Sequence, residues 1–180
     1  MQRFEAAPWP VSLKAVSTLG TVVVAGVALT LFRVIPRGTR TPFAEEFGTL
    51  MVVVPVAILL GALLFVVRGY EIEGGTLAVE RLLWSTRVPL AGLARAWHDP
   101  SAMCRSLRLF GNGGMYSVTG VFQNRALGRY RAFVTDPKHA VALRFESRTV
   151  VVSPAHPQAF LGHLAMVCPG AVVAPPPGEG

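Results

Sequence analysis

Charged residues are scarce in this sequence, and acidic residues are scarcer than basic ones. Of the 180 residues, 17 are lysine or arginine and 10 are aspartate or glutamate, which makes the charged share 15%. An ordinary soluble domain has about a quarter of its residues charged. The apolar share is correspondingly high at 52%. These proportions argue against an ordinary soluble protein.

Cysteine is also rare, and the motifs of common nucleotide-binding and hydrolytic enzymes are absent. Cys104 and Cys168 lie far apart and form no Cys-x-x-Cys pair, so the sequence indicates no disulfide framework. It contains no Gly-x-Ser-x-Gly nucleophile elbow and no Gly-Lys-Ser/Thr phosphate loop. The sequence therefore lacks two of the most familiar enzyme motifs.

The histidines assemble neither a catalytic nor a metal site. His98 and Asp99 are adjacent, and neighbouring residues of a strand point to opposite faces, so the pair cannot relay a proton to Ser101. His156 and His163 are spaced too widely for metal ligands one helical turn apart, and no carboxylate lies beside them. We therefore expect no enzymatic activity, no metal ion and no cofactor.

Many of the apolar residues lie in two long uncharged runs. Ala15–Phe32 and Phe47–Val67 contain no charged residue, and as helices they would extend about 27 and 31 Å. Those lengths match the hydrocarbon thickness of a bilayer. Buried core helices are the alternative, but such helices rarely run so long without a polar face. The sequence predicts transmembrane helices over 15–35 and 47–68.

A cleaved signal peptide is the alternative for the first run. That run is longer than the apolar part of a signal peptide, begins only after Lys14, and is followed by no Ala-x-Ala-like cleavage site. A polar turn with Arg33, Arg37 and Arg40 follows instead, which makes 36–46 a connecting loop. The two runs then form a hairpin with both ends on the same side of the membrane.

The basic residues indicate which side holds the C-terminal region. The connecting loop together with the preceding Arg33 carries three of them, and the opposite flanks carry five: Arg3, Lys14, Arg68, Arg81 and Arg87. Basic flanks favour the cytoplasmic side. We expect a multi-pass protein of the bacterial plasma (inner) membrane, with a cytoplasmic segment over 1–14 and a cytoplasmic C-terminal domain.

After Arg68 the periodicity changes from helical to alternating. Tyr70 and Ile72 alternate with two glutamates, and the pair Gly74 and Gly75 is typical of a hairpin turn. Further short apolar runs, separated by turn residues, continue as far as "RTVVVS". Short strands with a turn every eight to twelve residues or so indicate an antiparallel sandwich or barrel.

The end of the sequence has a different pattern. Phe160, Leu161, Leu164 and Val167 follow helical spacing, which predicts a C-terminal helix over the mouth of the barrel. The proline- and glycine-rich residues 169–180 are expected to form a disordered tail. The domain is thus expected to span 69–168.

This order of short strands and one final helix resembles the pleckstrin-homology-like (PH-like) barrel. More narrowly, Gly69 to Val167 resembles the bacterial PH-like domain family, on phrases such as "LFGNGG", "GRYRAFVTD" and "VVVSP". Members of that family often carry the domain on one or two membrane spans. The resemblance implies an all-β PH-like barrel of about seven antiparallel strands capped by an α-helix. It implies little about function, because fold alone does not determine function.

The stretch "RLFGNGGMYSVTG", Arg108–Gly120, raises the question of a phosphate site. A dinucleotide-binding loop needs a helix at the end of its glycine motif, whereas alternating strand residues follow here. Asn112 and Gly113 form the preferred pair for a type I′ hairpin turn, in which both central residues have positive φ. The sequence favours a tight turn at this pair over a ligand-binding loop.

The interval between Asp99 and Asp136 contains arginines and no acidic residue. On adjacent strands these arginines could form one positive face, and beside a membrane each would add about 1 kcal/mol of attraction to anionic headgroups. The alternative is that they only solvate outward strand positions. The acidic first hairpin, "EIEGGT", argues against phosphoinositide recognition of the eukaryotic PH type, and nothing indicates nucleic-acid binding. The candidate binding residues are Arg105, Arg108, Arg125, Arg129 and Arg131.

These observations favour a membrane-anchored, non-catalytic PH-like module for binding or assembly. Its expected partner is a protein, a peptide or an anionic membrane surface with its lipid headgroups. A structural subunit of a membrane complex, or of a homo-oligomer, is the alternative, with Gly20, Gly26 and Gly61 available for helix packing. A hydrolase with an unrecognised site is a further alternative.

Overall fold

Two long helices separate a short first strand from a β-rich domain in the computed structural model, which describes residues 2–34 and 42–173. Strand β1 covers Gln2–Glu5, helix α1 Val11–Val34 and helix α2 Pro42–Leu64. A 3₁₀ turn at Pro137–His139 connects two strands of the domain. The domain consists of β2 (Gly69–Glu73), β3 (Thr76–Glu80), β4 (Ser85–Pro89), β5 (Leu93–His98), β6 (Leu107–Met115), β7 (Ser117–Asn124), β8 (Gly128–Val134), β9 (Val141–Phe145), β10 (Thr149–Val152), α3 (Pro157–Val167) and β11 (Val172–Val173).

The helices α1 and α2 are long and apolar enough to cross a membrane. Their mean hydropathy is 2.0 over Val11–Arg33 and 2.5 over Glu46–Leu64, and 11% of each apolar window is buried within the protein. A core helix would be mostly buried, so the alternative of two buried core helices finds no support. Helix α2 ends at Leu64, before the expected residue 68, because the chain then makes a tight turn in which Phe65 N donates to Ala62 O. Residues 35–41 of the expected loop lie outside the described residues.

Strand β1 precedes the helices in the chain but belongs to the domain that follows them. It pairs antiparallel with β2, with Phe4 opposite Tyr70. Beyond the strand, Ala7 N donates to Ser153 O at 2.8 Å. Because one sheet contains β1 and β2, the start of α1 and the end of α2 are both held at the domain.

The first sheet has the order β1-β2-β3-β4 and is antiparallel throughout. Its β2–β3 turn is formed by Gly74 and Gly75, both with positive φ, as the sequence predicted. Tyr70 and Ile72 point into the core, while Glu73 is exposed. Alternation therefore predicted this part of the fold correctly.

The second sheet is mixed, and this corrects the prediction of an antiparallel closed barrel. Its order is β11-β5-β9-β10-β8-β7-β6, and β10 pairs parallel with β8 and antiparallel with β9. All four residues of β10 are buried, and a strand with both faces buried belongs inside a sheet rather than at its edge. The connection from Thr135 to Ala140 carries the chain past this inner position to β9.

The C-terminal segment packs against the second sheet. Phe160, Leu161 and Leu164 of α3 are buried in the core, as predicted, whereas Val167 is exposed. Strand β11 then pairs parallel with β5, so part of the segment expected to be disordered forms a short strand. Residues 174–180 lie outside the described part of the chain.

Candidate functional site

The glycine-rich stretch forms most of strand β6. Pairing with β7 places Gly111 opposite Gly120, and the chain reverses at Tyr116, whose φ is +63°. The prediction of a tight turn at Asn112 and Gly113 is therefore wrong, because both residues lie within the paired strand.

Glycine is required where β6 and β7 approach each other most closely. A Cβ atom at Gly111 would lie 2.3 Å from Thr119 O, and one at Gly120 would lie 2.1 Å from Phe110 O. Both glycines have positive φ, at +112° and +151°, a region that other residues rarely adopt. Backbone geometry explains these two glycines, although the geometry is a strand contact and not a turn.

The tip of the β6–β7 hairpin packs against the first turns of α1. Tyr116 N donates to Ser17 Oγ at 2.9 Å, and the Tyr116 hydroxyl forms a hydrogen bond with Thr21 Oγ1. The ring of Tyr116 lies 6.0 Å from that of Trp9. The polar side of α1 thus faces the domain and holds the hairpin alongside the helix.

A cavity of about 820 Å³ lies between the two helices and strands β6 to β8. The strands supply its floor, which includes Phe133, Val121 and the glycines of β6. The helices supply an apolar wall. The wall residues are Val16, Ile58, Gly61, Ala62 and Phe65.

Three arginines line this cavity, which we call the arginine cavity. Arg81 lies directly after β3, Arg108 lies on β6 and Arg131 lies on β8. Among the described residues that line the cavity, none carries a carboxylate. Within residues 2–34 and 42–173, none of the three arginines forms a salt bridge. The cavity therefore carries an uncompensated positive charge.

Arg81 is the buried arginine of the three, with 8% of its surface exposed. Its Nη1 donates to Phe65 O at 2.9 Å, and its Nε donates to Thr86 Oγ1 at 3.1 Å. Phe65 O lies just beyond the end of α2, where a cation offsets the negative end of the helix dipole. Arg81 thus attaches the end of α2 to the domain.

Aromatic rings surround the same guanidinium group. Its carbon lies 5.1, 5.9 and 5.4 Å from the ring centroids of Phe65, Trp84 and Phe133. Burial lowers the pKa of Arg81, and the nearby positive charge of Arg131 lowers this pKa further. The positive charge of Arg81 is therefore buried close to that of Arg131, and the two charges repel each other.

Arg131 and Arg108 are the exposed arginines of the cavity. The guanidinium carbon of Arg131 lies 5.1 Å from the centroid of Phe133, the ring that Arg81 also approaches. Arg108 lies across Gly113, where a Cβ atom would be 2.5 Å from Arg108 Nη1. The glycine leaves room for this side chain to lie along its own strand.

The structure does not unite the five arginines that the sequence singled out. Arg105, Arg125 and Arg129 are exposed and do not line the cavity. Arg105 lies in the loop before β6, Arg125 in the β7–β8 turn and Arg129 at the start of β8. The chain brings Arg108 and Arg131 to one cavity and leaves the other three outside it.

Sequence reasoning missed Arg81 as a site residue. It counted Arg81 among the basic flanks, because the residue lies outside the acid-free interval that drew attention to the other arginines. The stretch "ERLLW" places an arginine directly after a strand and before three apolar residues. In the structure these apolar residues lie exposed in the turn. An arginine in such a setting often packs its stem against apolar groups.

The residues of the excluded catalytic triad form a local turn. Asp99 Oδ1 accepts hydrogen bonds from Ser101 N and Ser101 Oγ at 2.8 and 2.6 Å. His98 Nε2 lies 3.1 Å from Lys138 O, away from Asp99. In this turn Asp99 therefore pairs with Ser101 and not with His98.

A different His–Asp pair was not anticipated. His139 Nδ1 lies 3.0 Å from Asp136 Oδ2, and Asp136 Oδ1 accepts from Lys138 N at 3.0 Å. Asp136 thereby caps the 3₁₀ turn between β8 and β9. Across the described residues, no group of three or more potential metal ligands is found.

The fold defines a PH-like β domain carried on two apolar helices. The family model of the bacterial PH domain matches residues 68–167, more than half of the chain. The chain therefore belongs to the bacterial PH domain family, which confirms the resemblance seen in the sequence. The matched region ends with α3 and does not include β1, α1 or α2. No curated protein and no solved structure matches the chain.

Proposed function

We propose that this protein is a membrane-anchored, non-catalytic module that binds the anionic surface of the membrane holding it. The observation that carries the proposal is the arginine cavity, with three arginines, an apolar wall from two helices and no carboxylate in its described lining. Membership of the bacterial PH domain family supports a binding or assembly role.

The position of the cavity supports this assignment. α1 starts and α2 ends at the domain, and the cavity is lined by Val16 near the start of one helix and by Phe65 just after the other. If the two helices span the bilayer, this level of the structure corresponds to the lipid headgroups. A basic residue near an anionic leaflet contributes about 1 kcal/mol of attraction.

The β3–β4 turn supports the same orientation. Leu82, Leu83 and Trp84 are 49%, 73% and 40% exposed. The ring of Trp84 makes an edge contact with that of Phe65, with 5.3 Å between the centroids. Apolar and aromatic side chains beside the end of a span are stabilised in the interfacial zone of a bilayer.

The proposed location is the plasma membrane of a bacterium, with the domain in the cytoplasm. The excess of basic residues on the domain side of the helices supports this orientation. We favour the membrane surface over a partner protein or peptide as the ligand, because the apolar wall of the cavity is formed by the two helices themselves.

The test uses the full chain in lipid nanodiscs that contain or lack an anionic phospholipid. The expected result is a higher Tm with the anionic lipid, because a ligand of the native state stabilises it, and a smaller difference at high salt. Equal Tm values in the two lipids would contradict binding to an anionic surface. The anchor is tested separately, by retention of the protein in membranes during alkaline carbonate extraction.

A further inference from the structure

We infer that the arginine cavity is a discrete site for one anionic phospholipid, with the headgroup phosphate between Arg108 and Arg131. An acyl chain of the same lipid lies against α1 and α2. The inference rests on the proposed function and goes beyond it, since attraction to a surface needs no saturable site.

The dimensions of the cavity suit a single ligand. Its volume of about 820 Å³ falls within the range of roughly 300–1,000 Å³ for small-molecule sites. The headgroup and the adjoining part of an acyl chain occupy this space, and the remaining hydrocarbon stays in the bilayer.

The division of polarity within the cavity suits an amphiphile. Val16, Ile58 and Ala62 form an apolar wall on the helix side, while the sheet side carries Arg108 and Arg131. Guanidinium groups bind phosphate oxygens through paired charge-assisted hydrogen bonds. A soluble phosphate ester would engage the arginines and leave the apolar wall in water, so a lipid satisfies both sides of the cavity.

The charge distribution favours an anion at this position. Arg81 and Arg131 approach the same phenyl ring of Phe133, at 5.4 and 5.1 Å from its centroid. Arg81 donates to Phe65 O and Thr86 Oγ1, so it contributes positive charge while Arg131 and Arg108 contact the phosphate. A phosphate beside Arg131 offsets the repulsion between the two guanidinium groups.

On the floor of the cavity, strand β6 allows a ligand to approach its backbone closely. Gly114 lines the cavity, and a Cβ atom there would meet nothing within 4 Å, so a ligand can reach the backbone of the strand at this position. Within the glycine-rich stretch, Gly114 thus contributes shape to the site and Arg108 contributes charge.

The experiment titrates the purified full chain in zwitterionic detergent with three probes and measures binding by calorimetry. The probes are a short-chain phosphatidylglycerol, the phosphatidylcholine with the same chains, and glycerol 3-phosphate. We expect saturable binding of one phosphatidylglycerol per chain, affinity for phosphatidylcholine at least about tenfold weaker, and no measurable binding of glycerol 3-phosphate.

A cavity-filling variant tests the location of the site. Gly61 lines the cavity, and a Cβ atom there meets nothing within 4 Å, so the side chain of Gly61→Leu is expected to occupy part of the cavity. Gly26→Leu is the matched control, because Gly26 is also helical with open space around it and does not line the cavity. We expect the first variant to weaken phosphatidylglycerol binding about tenfold or more and the second to leave it unchanged.

A charge variant tests the headgroup contact independently of the filled cavity. Arg131→Gln is expected to weaken binding about tenfold. Arg129→Gln removes the same charge from the same strand outside the cavity, and it is expected to have little effect.

The outcomes separate this inference from the proposed function. If anionic lipid raises Tm but Gly61→Leu has no effect and the two arginine variants behave alike, the surface attraction stands and the discrete site is overturned. If glycerol 3-phosphate binds as well as the lipid, the ligand is a soluble phosphate and the lipid assignment is overturned. If anionic lipid does not raise Tm and phosphatidylglycerol binds no more tightly than phosphatidylcholine, both proposals fail.

Discussion

At the scale of single residues, the hydroxyl of Tyr70 joins distant parts of the chain. It donates to Phe133 O at 2.6 Å and accepts from Ser153 N at 2.9 Å. Ser153 O in turn accepts from Ala7 N, which ties the segment before α1 to the same cluster. Burial raises the pKa of Tyr70 from 10.0 to about 12.

This shift predicts a loss of stability at alkaline pH. The unfolded chain releases the Tyr70 proton above about pH 10, whereas the folded chain keeps it until about pH 12. The contribution of this proton to the free energy of unfolding is therefore complete below pH 10. It falls by about 1.4 kcal/mol per pH unit between the two values.

Tyr70→Phe tests this assignment. At neutral pH the variant is expected to be about 1–3 kcal/mol less stable, because buried hydrogen-bonding groups lose their partner. Between pH 10 and 12 it should lose less stability than the natural sequence does. Thermal unfolding followed by circular dichroism in detergent, from pH 7 to 11.5, measures both effects. Parallel losses in the two proteins above pH 10 would show that another group controls the alkaline transition.

Arg131 gives a second prediction at the residue scale. Because Arg131 opposes the positive charge of Arg81, Arg131→Gln is expected to raise Tm in zwitterionic detergent by about 1–2 °C, the shift that a few tenths of a kcal/mol produce in a chain of this size. With anionic lipid present, the natural sequence should instead be the more stable protein. A lower Tm of the variant in both conditions would mean that Arg131 acts through its packing on Phe133.

At the scale of elements, β1 completes a sheet whose other strands come after both helices. The ring of Phe4 lies 5.1 Å from that of Phe160 in an edge contact, so β1 contacts α3 as well as β2. Arg3 Nη2 lies 2.7 Å from Glu80 Oε2, and the Arg3 side chain is 63% exposed against 26% for Glu80, so solvent around Arg3 reduces the contribution of this ion pair. The Phe4 side chain is thus the main packing contribution of the strand.

Phe4→Ala tests the contribution of β1 to the domain. We expect a loss of about 1–3 kcal/mol, less than for a fully buried phenylalanine, because Phe4 is half-buried. Met166→Ala is the matched control, since Met166 lies on the exposed side of α3. Thermal unfolding of the full chain provides the measurement. If the two variants were equally stable, the Phe4 side chain would contribute nothing to the stability of the domain.

Strands with alternating apolar residues could be predicted, whereas the position of each strand in its sheet could not. Gly74 and Gly75 define the β2–β3 hairpin through backbone conformation, which is a local property. The neighbours of β10 depend on which sheet position buries all four of its residues, and that is decided by packing. The run of valines in Thr149–Val152 is typical of an inner strand, but it does not indicate which strands lie beside it.

At the scale of the whole molecule, the pairing of β1 with β2 constrains the topology. If α1 and α2 span a membrane, β1 and the C-terminal domain must lie on the same side of it, because they share one sheet. The connection between the helices then lies on the opposite side. In the orientation that we propose, which the excess of basic residues near the domain favours, the domain lies in the cytoplasm.

Cysteine labelling tests this topology. Cys104 is an exposed free cysteine of the domain, and a variant with Cys168→Ala carries it as a single thiol. We expect an impermeant maleimide to label Cys104 in inside-out vesicles and not in intact spheroplasts. A cysteine introduced as Thr39→Cys, in the chain with Cys104→Ser and Cys168→Ala, should show the reverse pattern. Labelling of both positions from the same side would contradict a two-span hairpin.

The candidate site was accessible to sequence analysis only in part. Arg108 and Arg131 were predicted because they belong to an interval with no acidic residue, and the structure places both in one cavity. Arg81 joins them from another sheet, and Arg129 does not line the cavity although it lies two positions from Arg131 on the same strand. Membership of a shared cavity depends on how the sheets and helices meet, which no local pattern encodes.

The bacterial PH-like character of the chain was indicated by its resemblance to a known family. Local chemistry and periodicity in the sequence determined the two apolar helices, the alternating strands and the α3 stripe. These follow from residue hydrophobicity and backbone preference over short intervals. The tertiary structure alone decided that β1 belongs to the domain, that β10 lies parallel to β8, and that three arginines share one cavity. Each of these depends on burial and hydrogen bonding between residues far apart in the chain. The free energy of such contacts depends on how whole elements pack against one another.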